Sequence, residues 1–232
     1  MKSRVSPRPS VRGMVGLVVV LLAAAACAPP RYEYVRNTEA RTAFRIPTEW
    51  TVFQESTVSG VDSTADTPDT IDWLVGIDAN PQPSVANVYP SDFATDYPQG
   101  FAAVLTLTGE SRDMASLQVL RNLLIPIDQI RDEVGSDAVR VLEYDDALVR
   151  DGYRGLQMVV QVQEAALLGD ELPSGSGGAG FLSDTYVQMN QVMLVDDVTQ
   201  HAYILFLLCS ADCYARNRGD IHSAIDSWTV LP

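Results

Sequence analysis

One lysine, two histidines and three cysteines are all that 232 residues offer of the side chains that most often hold metals, form Schiff bases or carry thiol chemistry. A zinc site takes about four ligands. Cys209 and Cys213 have neither a second cysteine pair nor a nearby pair of histidines to complete one, since the histidines are His201 and His222. Basic residues number 16 against 30 acidic ones, a net charge of −14. Nucleic acid selects for basic patches and is excluded as a partner. No apolar run reaches the roughly 20 residues that a helix needs to cross a bilayer. No internal repeat is visible. A nucleophile elbow would read Gly-x-Ser-x-Gly, and Ser174-Gly-Ser-Gly-Gly fails it at its first position. With glycines so dense, the segment Gly169–Gly180 reads as a flexible loop. No metal, no cofactor and no enzymatic activity is expected.

What is present begins at the N-terminus. Met1–Gly13 carries Lys2, Arg4, Arg8 and Arg12 and no acid, and the apolar stretch from Met14 runs to Ala26. A basic start, an apolar core and small residues before a cleavage point are the parts of a secretory signal. The residue at the cleavage point is Cys27, preceded by Ala24, Ala25 and Ala26. The pattern resembles the lipobox of bacterial lipoproteins, with Ala24 where that family usually has Leu. The resemblance implies cleavage after residue 26 and a thioether-linked diacylglycerol on Cys27. Several acyl chains on one residue suffice for stable anchoring, whereas one chain binds only marginally. The expected organisation is a signal over 1–26, a lipidated N-terminus and tether over 27–42, and one globular domain over 43–232. The expected location is the extracytoplasmic face of a cell membrane. Loss of residues 1–26 leaves twelve basic against thirty acidic residues, a net charge of −18.

An odd cysteine count in an exported protein needs an explanation for the one left over. Lipidation of Cys27 supplies it and leaves Cys209 and Cys213 as a pair. Thiols outside the cytoplasm are normally oxidised. The run Ala202–Leu208 reads as a buried strand, and Ser210 and Asp212 offer caps for a following helix. A strand end and a first helical turn bring two such Cα atoms within disulfide range, about 4.4 to 6.8 Å. A structural disulfide is expected. A redox couple more often has Cys-x-x-Cys, one residue shorter.

Along the body, Ala43–Phe53 reads as a hairpin interrupted at Pro47 and Thr48. Strands are expected at Trp73–Ile77 and Phe101–Thr108. Polar loops rich in Ser, Thr, Asp and Pro fill 55–71 and 79–99. Met114, Leu117, Leu120 and Leu124 recur at helical spacing, and Pro126 stops or kinks that helix before a shorter turn at 127–134. Strand patterns return at 138–145 and 154–164, where Leu156, Met158, Val160 and Val162 alternate with glutamines. Two more follow at 185–195 and 201–208. Tyr214, Ile221, Ile225 and Trp228 mark one face of a closing helix before an extended end. Consecutive strands with short connections imply a mainly antiparallel sheet flanked by helices, an α+β domain.

Two short signals add to this. Phe44-x-x-Pro47-x-x-Trp50, and Ile221, Ile225, Ser227 and Trp228 at the end, resemble the first hairpin and last helix of the PsbP/Mog-type fold. That fold is similar to what is found in photosystem accessory proteins and in Lpq-type actinobacterial envelope lipoproteins. The resemblance covers most of 43–232 and implies an α/β/α sandwich in proteins that assist or bind. It supplies no catalytic residue.

The remaining polar residues have plain readings. Glu143, Asp145 and Asp146 fit a charged turn. Asp62, Asp66, Asp69 and Asp72 lack the alternating ligands, central Gly and closing Glu of a Ca²⁺ loop. Trp50, Trp73 and Trp228 are expected as core anchors, and Met158, Met189 and Met193 as core residues able to line an adaptable apolar pocket. The expected function is therefore a membrane-anchored envelope lipoprotein with a non-catalytic binding or assembly-accessory domain. The alternative is a carrier or sensor of a small apolar ligand, followed by an envelope hydrolase using His222 or a carboxylate pair. Expected partners are the membrane, through the lipid, and an envelope protein or apolar ligand.

Overall fold

Why the chain needs two sheets is clear at Pro47. The computed structural model describes residues 30–54, 70–88, 95–108, 121, 122, 124–167 and 185–232. Strand β2 (Thr42–Pro47) is flanked on one side by β1 (Tyr32–Asn37) and on the other by the short terminal β10 (Thr229–Val230). Both hydrogen-bonding edges of β2 are thus taken. The expected hairpin is not formed: a turn does close, with Trp50 N–H donating to Pro47 O at 3.1 Å, but β3 (Thr51–Gln54) pairs with β4 (Thr70–Asp78) in a second sheet. The chain changes sheets at this turn. The tether boundary also moves. Residues 32–37, polar enough to read as a linker, form β1, because an edge strand exposed on one side needs few apolar side chains.

The larger sheet has seven strands in the order β3-β4-β5-β9-β8-β7-β6, every neighbouring pair antiparallel. Its other members are β5 (Gln99–Thr106), β6 (Val139–Arg150), β7 (Tyr153–Gln163), β8 (Tyr186–Asp196) and β9 (His201–Ser210). β8 and β9 lie inside the sheet and are buried almost end to end, which explains runs such as AYILFLL. β6 is an edge strand, bulged twice, and mostly exposed. Asp151-Gly152 turns β6 into β7 with φ of 54° and 86°, the left-handed pair that a two-residue hairpin prefers and that glycine accepts freely.

One face of this sheet is covered by the long helix and the small sheet. Among the described residues, the α-helices include α1 (Val85–Val88), α2 (Ile127–Glu133), α3 (Glu164–Leu167) and α4 (Ala211–Ser227). α4 packs on β2, β8 and β9. Its Ile221, Ala224 and Ile225 join Phe44, Ile46, Trp73, Val75, Leu205 and Trp228 in one buried cluster, and Phe44 tilts against Trp228 at 5.5 Å between ring centres. The opposite face carries Leu156, Met158, Val160, Met189, Met193, Ile204 and Phe206 beneath Ile125, Ile127 and Ile130. Helices on both faces of an antiparallel sheet give the α+β layered class. The helix expected over 114–124 falls mainly outside the described residues, as do Cys27, the signal and the Gly-rich loop. Among the described residues, no helix is long and apolar enough to cross a membrane.

The C-terminal end of the chain is clamped by the β6–β7 hairpin. Arg150 Nη1 donates to the carbonyls of Ile225 at 2.8 Å and Trp228 at 3.1 Å, closing the C-terminus of α4. Asp151 accepts from Thr229 Oγ1 at 2.7 Å and from Val230 N–H at 3.1 Å. At the other end of α4, Ser210 caps the helix by accepting from Cys213 N–H.

Candidate functional site

Among the described residues, a cleft opens on each face of the larger sheet. The first, about 400 Å³, lies on the face opposite α4. Its floor is Met189 of β8 with Phe206 and Leu208 of β9, and its walls are Leu124, Ile125 and Ile130 on one side and Ala166 and Leu167 of α3 on the other. The side chains follow from strand register. β8 and β9 pair Met189 with Leu208 and Gln191 with Phe206, so alternate residues of both strands project to this face. The rim carries Gln129 and Glu133 of α2, which hydrogen-bond each other at 2.9 Å. The lining is otherwise apolar, and the volume falls within the range of about 300 to 1,000 Å³ usual for small-molecule sites.

The second cleft, about 430 Å³, is polar and opens where the β1–β2 turn meets β4 and the β8–β9 turn. Asp72, His201, Thr199, Arg41, Glu39 and Tyr203 line it. His201 stands between two oxygens, with Nδ1 2.7 Å from Thr199 Oγ1 and Nε2 3.5 Å from Asp72 Oδ2. The sequence shows no such partner for His201: Thr199 lies two residues away, but Asp72 arrives from a distant strand. Hydroxyl, imidazole and carboxylate in a row invite comparison with a nucleophile and its base. The turn, however, spends its own donors. Val198 and Thr199 N–H groups both donate to Asp196 Oδ1, at 2.9 and 3.1 Å, and Gln200 N–H to Asp196 O. No pair of free N–H groups is left beside Thr199 to hold an oxyanion.

Arg41 is likewise consumed by structure. Its Nε donates to Leu231 O and its Nη2 to Tyr153 OH, each at 3.0 Å, while Nη1 lies 3.9 Å from Asp196 Oδ2. Burial pushes the Asp196 carboxyl up, yet the Thr199 hydroxyl, the two turn N–H groups and Arg41 outweigh it and hold the carboxyl below the usual range. Burial raises the Tyr203 hydroxyl. This network ties the two sheets together.

The other candidates sort as follows. His222 Nε2 lies 2.8 Å from Tyr214 OH and receives Arg218 Nε at 3.4 Å, on the side of α4 that faces β8 through Asn190. Burial raises the Tyr214 hydroxyl. Glu143 faces Arg218 at 3.5 Å, and Asp145 accepts from Ala147 N–H within its own bulge. Trp50, Trp73 and Trp228 are all core residues. Met189 lines the apolar cleft, whereas Met158 and Met193 are buried beneath it. Cys209 and Cys213 are joined as a disulfide, with Cα atoms 5.9 Å apart, and both are fully buried. Asp62, Asp66, Asp69 and Ser174 lie outside the described residues. Among those described, no group of three His, Cys, Asp or Glu side chains could hold a metal.

No protein-family model matches this chain, and no curated protein matches it in sequence. Solved structures do. The chain is similar to the PsbP protein of the cyanobacterium Synechocystis, at 8% identity over 88% of this chain and 95% of that one, with a TM-score of 0.47. It is similar to the Ran-binding protein Mog1p of Saccharomyces cerevisiae, at 10% identity over 86% and 95% of the two chains and a TM-score of 0.45. It is also similar to LpqN of Mycobacterium tuberculosis, a protein involved in cell envelope biogenesis, at 12% identity over 89% and 87% with a TM-score of 0.41. Each likeness is one of fold, and no residue role passes from them to this chain.

The residues of the apolar cleft come from α2 and the residues 124–126 before it, α3, β8 and β9, and only Met189 stands out in the sequence as a pocket residue. Phe206 and Leu208 sit in a run apolar at every position, which conceals the face each residue takes. Leu124, Ile125 and Pro126 read as a helix end.

Proposed function

We propose that this chain is an envelope lipoprotein, anchored through acylated Cys27, whose domain holds a small apolar ligand without turning it over. The observation that carries the reading is the cleft of about 400 Å³ floored by Met189, Phe206 and Leu208. A binding domain needs an apolar cavity with a few polar groups at its edge. In the polar cleft, by contrast, Arg41 is engaged in holding the two sheets. The signal-like N-terminus supports export and anchoring.

The test is a pair of mass measurements on protein purified from its own host membrane, first under gentle conditions and then denatured. A small molecule released on denaturation is the expected result. Filling the cleft by Ala166→Trp should abolish its retention while leaving the thermal transition in place. Bare protein that also fails to take up a neutral apolar dye overturns the reading.

A second reading has its own observation. The edge strand β6 exposes Val141, Leu142, Tyr144 and Val149, and an exposed sheet edge is a place where another envelope protein can add a strand. Its two bulges work against such pairing. Cross-linking from β6 to an envelope protein, lost on Val149→Asp, distinguishes it from the ligand reading.

A further inference from the structure

Asp72 and Trp73 are neighbours in β4, and in a regular strand neighbours point to opposite faces. Both nevertheless line the polar cleft. The reason is a bulge: the β4–β5 register shifts between Ile71 and Trp73, and Asp72 is the extra residue. Bulges re-aim a side chain and are over-represented beside functional sites. The floor of the cleft is otherwise regular, with Val104 of β5 across from Tyr203 of β9 and Thr106 across from His201. The β1–β2 turn adds Glu39 and Arg41.

Hydrogen bonding in this cleft is incomplete in a definite pattern. The Tyr203 hydroxyl and the Trp73 indole N–H bond to no described residue, although the two residues are only 2% and 6% exposed. Neither atom is sealed off, as the unpaired Trp228 Nε1 is in the core, so a molecule in the cleft has access to both. Buried polar groups are nearly always paired, because leaving one unpaired costs its desolvation. Among the acceptors, Asp72 Oδ2 takes Thr106 Oγ1 at 2.6 Å and lies 3.5 Å from His201 Nε2. Asp72 Oδ1 and both carboxylate oxygens of Glu39 take nothing from the described residues. Arg41 is committed through Nε, Nη2 and Nη1 to Leu231, Tyr153 and Asp196. The charge left unused is therefore negative.

We infer that the polar cleft binds a small hydroxylated amine, its ammonium drawn by the Glu39 and Asp72 carboxylates and a hydroxyl placed against Tyr203 and Trp73. An ammonium donates three hydrogen bonds and accepts none, which suits carboxylate oxygens, while a hydroxyl accepts from the indole N–H and also donates. An anion would meet two carboxylates with no free guanidinium to offset them. A purely apolar cation would leave Tyr203 and Trp73 unpaired. The volume of about 430 Å³ is that of a small-molecule site. Trp73 and Tyr203 face the α4 side of the sheet, so this site is separate from the apolar cleft and filled independently of it.

The test titrates the full mature protein, isotope-labelled in its tryptophans, and follows the Trp73 indole N–H resonance, which Trp73→Phe identifies. The probes share a six-carbon chain. Glucamine carries both the charge and the hydroxyls, sorbitol lacks the charge, hexylamine lacks the hydroxyls and gluconate reverses the charge. At about pH 7 the alkylamines are protonated, as a lysine side chain is. Glucamine should bind about tenfold more tightly than sorbitol or gluconate, the worth of one charge-assisted hydrogen bond. It should bind about fivefold more tightly than hexylamine, the worth of one neutral hydrogen bond. Glu39→Gln, at an exposed position, should weaken glucamine and hexylamine alike by about threefold. Tyr203→Phe should bring glucamine down to the level of hexylamine and leave hexylamine itself unchanged. A Trp73 resonance that responds equally to all the probes, or to none, overturns the assignment. A preference for glucamine that is undiminished in both variants overturns it as well.

Discussion

A single added methyl measures how closely the strands of the larger sheet approach. A Cβ on Gly155 of β7 would lie 2.1 Å from Met193 O and 2.8 Å from Leu194 Cδ2 of β8. The first of these is main chain in a doubly covered strand, so it has nowhere to move. Gly155→Ala should cost about 3 kcal/mol by overpacking, read as a lower urea midpoint with unchanged slope. Asp196 tests electrostatics at the same scale. It is buried, accepts from two turn N–H groups and faces Arg41, and its folded carboxyl titrates below an unfolded one. A depressed folded pKa means that the stabilisation is complete above the unfolded value of about 3.9 and is lost as pH falls through the lower folded value. Asp196→Asn should therefore lower stability by about 1 kcal/mol at neutral pH, the difference between a charged and a neutral acceptor. The gap should close on acidification below about pH 3.9. A gap independent of pH would assign the effect to packing.

Elements test how local the sequence signals are. The disulfide closes a loop of sequence separation 4 between the end of β9 and the first turn of α4. So short a loop removes little entropy from the unfolded chain, so the pair Cys209→Ala with Cys213→Ala should cost only about 2 kcal/mol and leave the domain folded. Loss of all cooperative unfolding in that variant would mean that the bridge is needed to dock α4. The disulfide belongs to the part of the fold that is readable from local pattern, together with the Ser210 cap, the cores of β4, β5, β8 and β9, and the apolar face of α4. Partner choice is a different matter. Nothing between Ala43 and Phe53 states that β10, from the far end of the chain, occupies the edge of β2 and sends β3 to the other sheet. β1 hides in the sequence because none of its side chains is fully buried and its half-buried ones, Tyr32, Val35 and Asn37, follow no two-residue period. β6 runs past the expected 138–145 because its bulges break the period after Val141 and again after Asp145.

For the molecule as a whole, charge and anchor belong to one argument. The body of the chain is strongly acidic, at −18 once residues 1–26 are set aside, and its described helices include none able to span a bilayer. The apolar cleft that we assign to a ligand is legible only at Met189, because it is assembled from separate segments spread between Leu124 and Leu208. The charge was legible outright, being a property of composition. An acidic surface is repelled by anionic lipid, so the net charge of the domain works against its staying at a membrane. On the lipoprotein reading all attachment then runs through Cys27, where each buried methylene contributes about 0.8 kcal/mol. Cys27→Ser should move the protein from the membrane fraction to the soluble one. The purified variant should also fail to sediment with anionic vesicles at both low and high salt. Retention at low salt that is lost at high salt would locate a basic docking patch that the net charge hides. Retention at both would place the attachment in an apolar surface of the domain, and the lipid anchor would then be dispensable.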